Sequence, residues 1–165
     1  MTDIRIVNCT SLAGIWADWV LLPSNFLDQS EELVNTVKLA LLTDAIADPA
    51  DILPDPDSND RRGWWGDLDA ETIWSGWPIG CKCWLLSRAK ITPAGAREGS
   101  TLARAEGYVR AALQPMIDNR ICTAINVVAT RVGLSRIDVM VTVYRGPLQE
   151  IQLQFQNLWT EIREQ

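Results

Sequence analysis

The chain predicts an α+β domain: a small, mostly antiparallel sheet with a C-terminal hairpin, packed against two main helices. A Trp/Gly-rich irregular segment interrupts it. Two windows repeat apolar residues at helical spacing, three late runs alternate apolar and polar, and Pro and Gly crowd the stretch between. At 165 residues the chain suits one domain and is long enough to bury a core without metal or disulfide staples.

Residues 3–7 alternate, with Ile4 and Ile6 on one face. The apolar run 15–22 reads as a buried strand or as the second arm of a hairpin with that first run. Residues 1–27 thus form an N-terminal extension or strands. Asp28 followed by Glu31 has the pattern of a helix start. Leu33, Val34, Val37, Ala40 and Leu41 then set one apolar side of a helix over about 30–43.

Residues 44–60 carry six aspartates and three prolines, a density that forbids a regular helix or a central strand. An exposed acidic loop is expected. The run from Asp55 to Asp60 faintly resembles the opening of a calcium loop. Its sixth position is Asp60 instead of glycine and its twelfth is Gly66 instead of glutamate. Residues 61–80 hold Trp64, Trp65, Trp74 and Trp77 among four glycines, which suits neither helix nor strand. Gly63 and Gly66 bracket the first Trp pair and suggest a tight reversal. Cys81–Leu86 reads as a short helix, with strand as the competing reading.

Thr92-Pro93-Ala94-Gly95 is a turn. A second helix follows over about 100–117, capped by Ser100 or Thr101, with Leu102, Ala105, Val109, Ala112, Leu113 and Met116 as its stripe. Pro115 should end or kink it. Residues 121–131 and 135–144 form two strands around Gly133, the pattern of a hairpin. A third strand is expected over about 149–156, where Ile151, Leu153 and Phe155 alternate with glutamines. The tail beyond it has helical character. A three-stranded sheet has two edges, and edges recruit strands from other chains unless they are covered.

Composition narrows the function. The net charge is -6 and the 15 basic residues are scattered, so the chain lacks the basic stripe of a nucleic-acid binder. No stretch approaches the ~20 apolar residues that span a bilayer, and no targeting segment is expected at the N-terminus. The chain has no histidine, which excludes Ser-His-Asp and Cys-His sites. Neither nucleotide-binding glycine motif is present. The cysteines Cys9, Cys81, Cys83 and Cys122 include a C-x-C pair, not the C-x-x-C of zinc and redox motifs, so reduced thiols are the simpler reading. No cofactor and no metal are expected.

One catalytic reading competes. Asp60, Asp67, Asp69 and Glu71 lie near the tryptophans, and paired carboxylates in an aromatic cleft would suit a glycosidase or glycan-binding module acting on peptidoglycan. The structural reading of the same segment is a packed Trp minicore or a subunit interface. In it Arg61 or Arg62 pairs with Asp67 or stacks on an indole.

The block Arg61-Arg62-Gly63-Trp64-Trp65-Gly66-Asp67 resembles the signature of the Mu-type phage tail family named for the gene-46 product of phage Mu. The stretch Val37–Asp44 is similar to that family's helix ending in a Thr-Asp step. Gly80–Arg88, with Trp84 at its centre, resembles its Gly-Ser-x-Leu-Trp-Leu-Leu-x-Arg block, although Cys81 and Cys83 replace Ser and Leu. The resemblance covers about residues 15–145. That family is similar in turn to the sheath-initiator, or baseplate wedge, proteins of contractile tails, such as the gene-25 product of T-even phages. These carry a Glu-Pro-Arg step, for which this chain has Asp118-Asn119-Arg120. Arg120 matches; Asp118 and Asn119 depart.

The resemblance implies one sheath-initiator-like domain over 1–165, without catalysis. It would join other wedge proteins, the tail tube or hub and the first ring of the tail sheath, in six copies around the tail axis. It implies a virion location in the baseplate, after assembly in the host cytoplasm. Arg61, Arg62, Gly63, Trp64, Trp65, Gly66, Asp67, Trp84, Asp118 and Arg120 are its implied structural and interface residues.

Overall fold

The computed structural model describes residues 6–11, 14–19, 22–24, 32–73, 76, 78–87, 101–132, 136–146 and 148–155. The chain divides into two units, Met1–Leu39 and Ala40–Gln165. In the first, β1 (Ile6–Ser11) and β2 (Gly14–Trp19) form an antiparallel hairpin in which Ile6 lies opposite Trp19. The hairpin alternative for the N-terminal runs therefore holds.

Helix α1 spans Glu32–Leu42. Leu33, Val37, Ala40 and Leu41 are buried, as their spacing requires, while Val34 is half-buried. Asn35 is also fully buried, a polar residue that the apolar pattern does not reveal. The helix start expected at Asp28 lies outside the described residues.

In the second unit, helix α3 (Thr101–Asp118) buries Ala105, Val109, Leu113 and Met116 along one stripe. It continues three residues past Pro115, so the proline does not end it. Proline removes only its own N–H, and the Ala111 carbonyl that loses this donor belongs to an exposed residue that water can reach.

The sheet has the order β3-β4-β5, all antiparallel: β3 (Ala124–Val132), β4 (Arg136–Arg145) and β5 (Leu148–Phe155). Ile137, Val139, Val141 and Val143 of the central strand are buried on one face. The other face is less open than alternation suggests: Asp138 is 5% and Thr142 6% exposed, because β4 is flanked on both sides. Arg136 approaches the Asp138 carboxylate at 2.9 Å. The fold is α+β, as the sequence predicts.

Helix α3 packs along β3, and Glu106 accepts the Ala129 backbone N–H at 2.8 Å. That bond occupies the outer edge of β3. Because Ala129 turns its N–H away from β4, its partner Val139 turns its own backbone toward Phe155. By the same alternation Gln152 and Gln154 direct their backbone groups to the side of β5 away from β4.

Candidate functional site

The sequence between α1 and α3 is a loop region tied into a compact knot, and its glycines explain how. At Gly80 the backbone has φ +133°, and a Cβ there would stand 2.6 Å from the Ala45 nitrogen. The absence of a side chain lets two strands of loop touch. Cys81 donates its N–H to the Thr43 carbonyl at 2.8 Å, and Ala45 donates to the Cys81 carbonyl at 3.2 Å. This makes a parallel bridge between Asp44 and Cys81. One residue later the chain tightens into a 3-10 turn, Lys82–Leu86, which buries Cys83, Trp84, Leu85 and Leu86. The short-helix reading of this block is thus closer than the strand reading.

Trp84 anchors the knot. It is 3% exposed and packs with Ala47 and Leu85, against which Leu53 and Tyr108 are laid. Its Nε1 donates to the Ala45 carbonyl at 2.8 Å. The Arg62 guanidinium sits 4.9 Å from the Trp84 ring centroid and reaches the Asp44 carboxylate at 2.5 Å. Arg62 does not pair with Asp67, the partner its proximity in sequence suggests. Its backbone is left-handed (φ 50°) and is followed by Gly63 at φ 106°, so the chain reverses and sends the side chain back toward Asp44. Arg61 donates to the carbonyls of Asp48 and Pro49, and Ala47 donates to the Arg61 carbonyl at 2.9 Å.

The two tryptophans of the block separate. A Cβ on Gly66 would fall 2.5 Å from ring atoms of Trp64, so Gly66 makes room for that indole and does not supply a positive φ. Trp64 is half-buried, whereas Trp65 is 78% exposed. The packed-minicore reading thus fits Trp64 and not Trp65: one ring is packed and the other faces solvent, 5.4 Å away between centroids. Trp65 opens a second 3-10 turn, Trp65–Asp69, which leads into the one-turn helix α2 (Ala70–Ile73). Asp67 accepts the Ile79 N–H at 2.9 Å and so closes the loop between them. Trp74 and Trp77 lie outside the described residues.

Lys82 clips the acidic loop, bonding to the Asp48 and Asp51 carboxylates, the latter at 2.9 Å. Lys82 donates to Asp51 and holds its carboxyl below the usual value of 3.8, against the upward pull of burial. Burial pulls Lys82 down, but its bonds to the two aspartates outweigh it and raise the amine above 10.5. The sign follows from linkage. The Asp51 contribution is present above pH 3.8 and is lost as pH falls through its lower folded value; the Lys82 contribution is present below pH 10.5 and is lost as pH rises through its higher folded value. Urea titrations of the wild type and Lys82→Met across pH should differ by about 1 kcal/mol near neutrality, as partly exposed pairs do. The difference should shrink at both extremes.

The aspartates of the faint calcium pattern bond to backbone: Asp55 accepts the Asp57 N–H at 3.2 Å, and Asp60 accepts the Arg62 N–H at 2.8 Å. Among the described residues no three His, Cys, Asp or Glu side chains gather for a metal. Cys81 and Cys83 are buried with sulfurs 3.2 Å apart. The bond to Cys81 and burial push the Cys83 thiol well above its ordinary value, so it stays protonated. Burial likewise raises Cys122.

Arg120 terminates α3. Ile121 donates to the Met116 carbonyl and Arg120 to the Ile117 carbonyl, both at 2.9 Å. With Arg120 left-handed at φ 59°, this is a Schellman cap whose usual glycine position holds an exposed arginine. Asp118 is exposed and accepts from Gln114 at 2.9 Å.

The phage protein GP46 family model matches residues 33–149, a span containing α1, the whole knot, α3 and the start of β5. The chain belongs to this family. It is 38% identical over 127 residues to the baseplate protein gp46 of Escherichia phage Mu, covering 77% of this chain and 76% of that one. It is 27% identical over 133 residues to the Mu-like prophage FluMu protein gp46 of Haemophilus influenzae, covering 79% and 83%. The block Arg61–Asp67 is mostly a set of internal ties: Arg62 to Asp44 and Trp84, Gly63 and Gly66 to the turn, Asp67 to Ile79.

Proposed function

We propose that this chain is a non-enzymatic structural component of a contractile phage tail baseplate. It acts as a wedge or sheath-initiator subunit in six copies around the tail axis. It joins other wedge proteins, the tail tube or hub and the first sheath ring, without contacting nucleic acid or membrane. It is assembled in the host cytoplasm and works in the virion. The baseplate name of the relative from phage Mu supports the location.

The observation that carries the non-catalytic reading is the fate of the carboxylates around the Trp block. Of the carboxylates that a glycosidase reading would use, Asp67 accepts the Ile79 backbone N–H and Asp60 the Arg62 backbone N–H, while the neighbouring Asp44, Asp48 and Asp51 pair with Arg62 and Lys82. A glycosidase needs two carboxyls facing each other across a substrate cleft. Clearing of peptidoglycan by the purified chain, abolished by Asp67→Asn, would overturn this reading.

Two features suit joining. Among the described strands β5 is the last of the sheet, and its side away from β4 is where an added strand would pair, whereas α3 covers β3 at Ala129. Arg120 holds a conformation that costs an L-residue roughly 1–2 kcal/mol. An arginine kept where glycine would be more stable suits a role outside the fold. Arg120→Gly should raise Tm by about 2–4 °C yet lower incorporation into tails. Unchanged incorporation would remove Arg120 from the interface.

A further inference from the structure

We infer that Trp65 and Leu68 form an anchor for a basic partner protein, one whose surface offers an apolar pocket ringed by lysine or arginine. The inference rests on the baseplate reading and specifies one of its contacts. Both residues lie in the 3-10 turn Trp65–Asp69. Residues three apart eclipse one another in such a turn, so the two side chains stack on one side. Trp65 is 78% and Leu68 88% exposed.

This exposure is built. Trp64 packs across Gly66 beneath its neighbour, and Asp67 ties the turn to Ile79, so Trp65 stands on a fixed base. A tryptophan has only two side-chain torsions to order on docking and carries the amphipathic ring that is enriched in interface hot spots. The surroundings specify the partner. Between Asp44 and Glu71 the chain carries nine carboxylates and two arginines, and the segment stays acidic even with Lys82 bonded to Asp48 and Asp51. Both arginines are spent internally, on Asp44 and on the carbonyls of Asp48 and Pro49. Asp69, inside the same turn, and Asp57 and Asp60, just before the block, have no cationic partner among the described residues. An apolar anchor set in an unneutralised acidic field repels acidic surfaces and attracts basic ones.

The test places a photoreactive benzophenone amino acid at position 65 and reads the cross-linked peptide from assembled tails by mass spectrometry. Hydroxyl-radical footprinting of the unmodified chain, free and in tails, runs beside it. The expected result is loss of oxidation at Trp65 and Leu68 on assembly and a cross-link to a lysine- or arginine-rich peptide of another tail protein. Trp65→Ala should leave the circular dichroism and Tm of the free chain unchanged. It should lower tail incorporation roughly 30-fold at limiting concentration, the size of a tryptophan hot spot. Leu68→Asp should act in the same direction. A chain present in tails with Trp65 still as oxidisable as when free, or cross-linked to an acidic or neutral surface, overturns the inference alone. A chain absent from tails overturns the baseplate reading beneath it.

Discussion

Trp84→Ala should bring the chain close to unfolding at room temperature. Deleting a buried tryptophan costs about 3–5 kcal/mol through lost transfer energy and the cavity left behind. Here the indole is 3% exposed, so the whole of that range applies. The Ala45 carbonyl also loses its Nε1 donor, and the Arg62 guanidinium loses the ring over which it sits. An unsatisfied carbonyl adds about 1–3 kcal/mol if water does not reach it. Domains are stable by only about 5–15 kcal/mol in total. Trp84→Phe keeps a ring for Leu85 and Arg62 but not the N–H, and should lose a few kcal/mol less. Urea midpoints for the two variants check the ordering. Equal losses would mean that the hydrogen bond, not the packing, holds the knot.

Gly80→Ala should be nearly as severe although it adds one methyl group. The new Cβ would lie 2.6 Å from the Ala45 nitrogen and 2.9 Å from the Ala45 Cα. These are backbone atoms and cannot rotate aside. To relieve the clash the loop after α1 must move away from Cys81, which breaks the paired bonds of Cys81 to Thr43 and Ala45. The positive φ adds strain that alanine bears and glycine does not. Overpacking and strain each cost about 1–3 kcal/mol, so a loss of about 3 kcal/mol or more is expected. Gly107→Ala is the control. It sits inside α3 with nothing within 4 Å of the added Cβ, and should stabilise by about 0.5–1 kcal/mol. Thermal melts of both variants should move in opposite directions from the parent.

The elements of this fold were readable wherever one period repeats for long enough. The α1 and α3 stripes and the alternation of Ile137, Val139, Val141 and Val143 place both helices and the central strand within a few residues of their observed ends. The third strand was readable for the same reason. The knot was not, because its ties join residues far apart in sequence. Arg62 finds Asp44 eighteen residues upstream instead of the nearby Asp67, and Lys82 reaches Asp48 and Asp51 across more than thirty residues. Adjacent tryptophans carry no signal for which one points outward. Only the packing of Trp64 over Gly66 decides it. The Schellman cap was hidden because arginine stands where the sequence signal is glycine. Within the proposed site, the family block was legible as a block, but its division into internal ties and one solvent-facing ring required three dimensions.

A chain that builds a baseplate and does no chemistry there should be visible in place in the tail. A cryo-electron reconstruction of the assembled tail tests it most directly. Six copies of this chain are expected in the baseplate ring, with Trp65 and Leu68 covered by a basic neighbour and the β5 edge or Arg120 in contact with another subunit. A tail that assembles without the chain, or that carries it with all of these surfaces facing solvent, would contradict it.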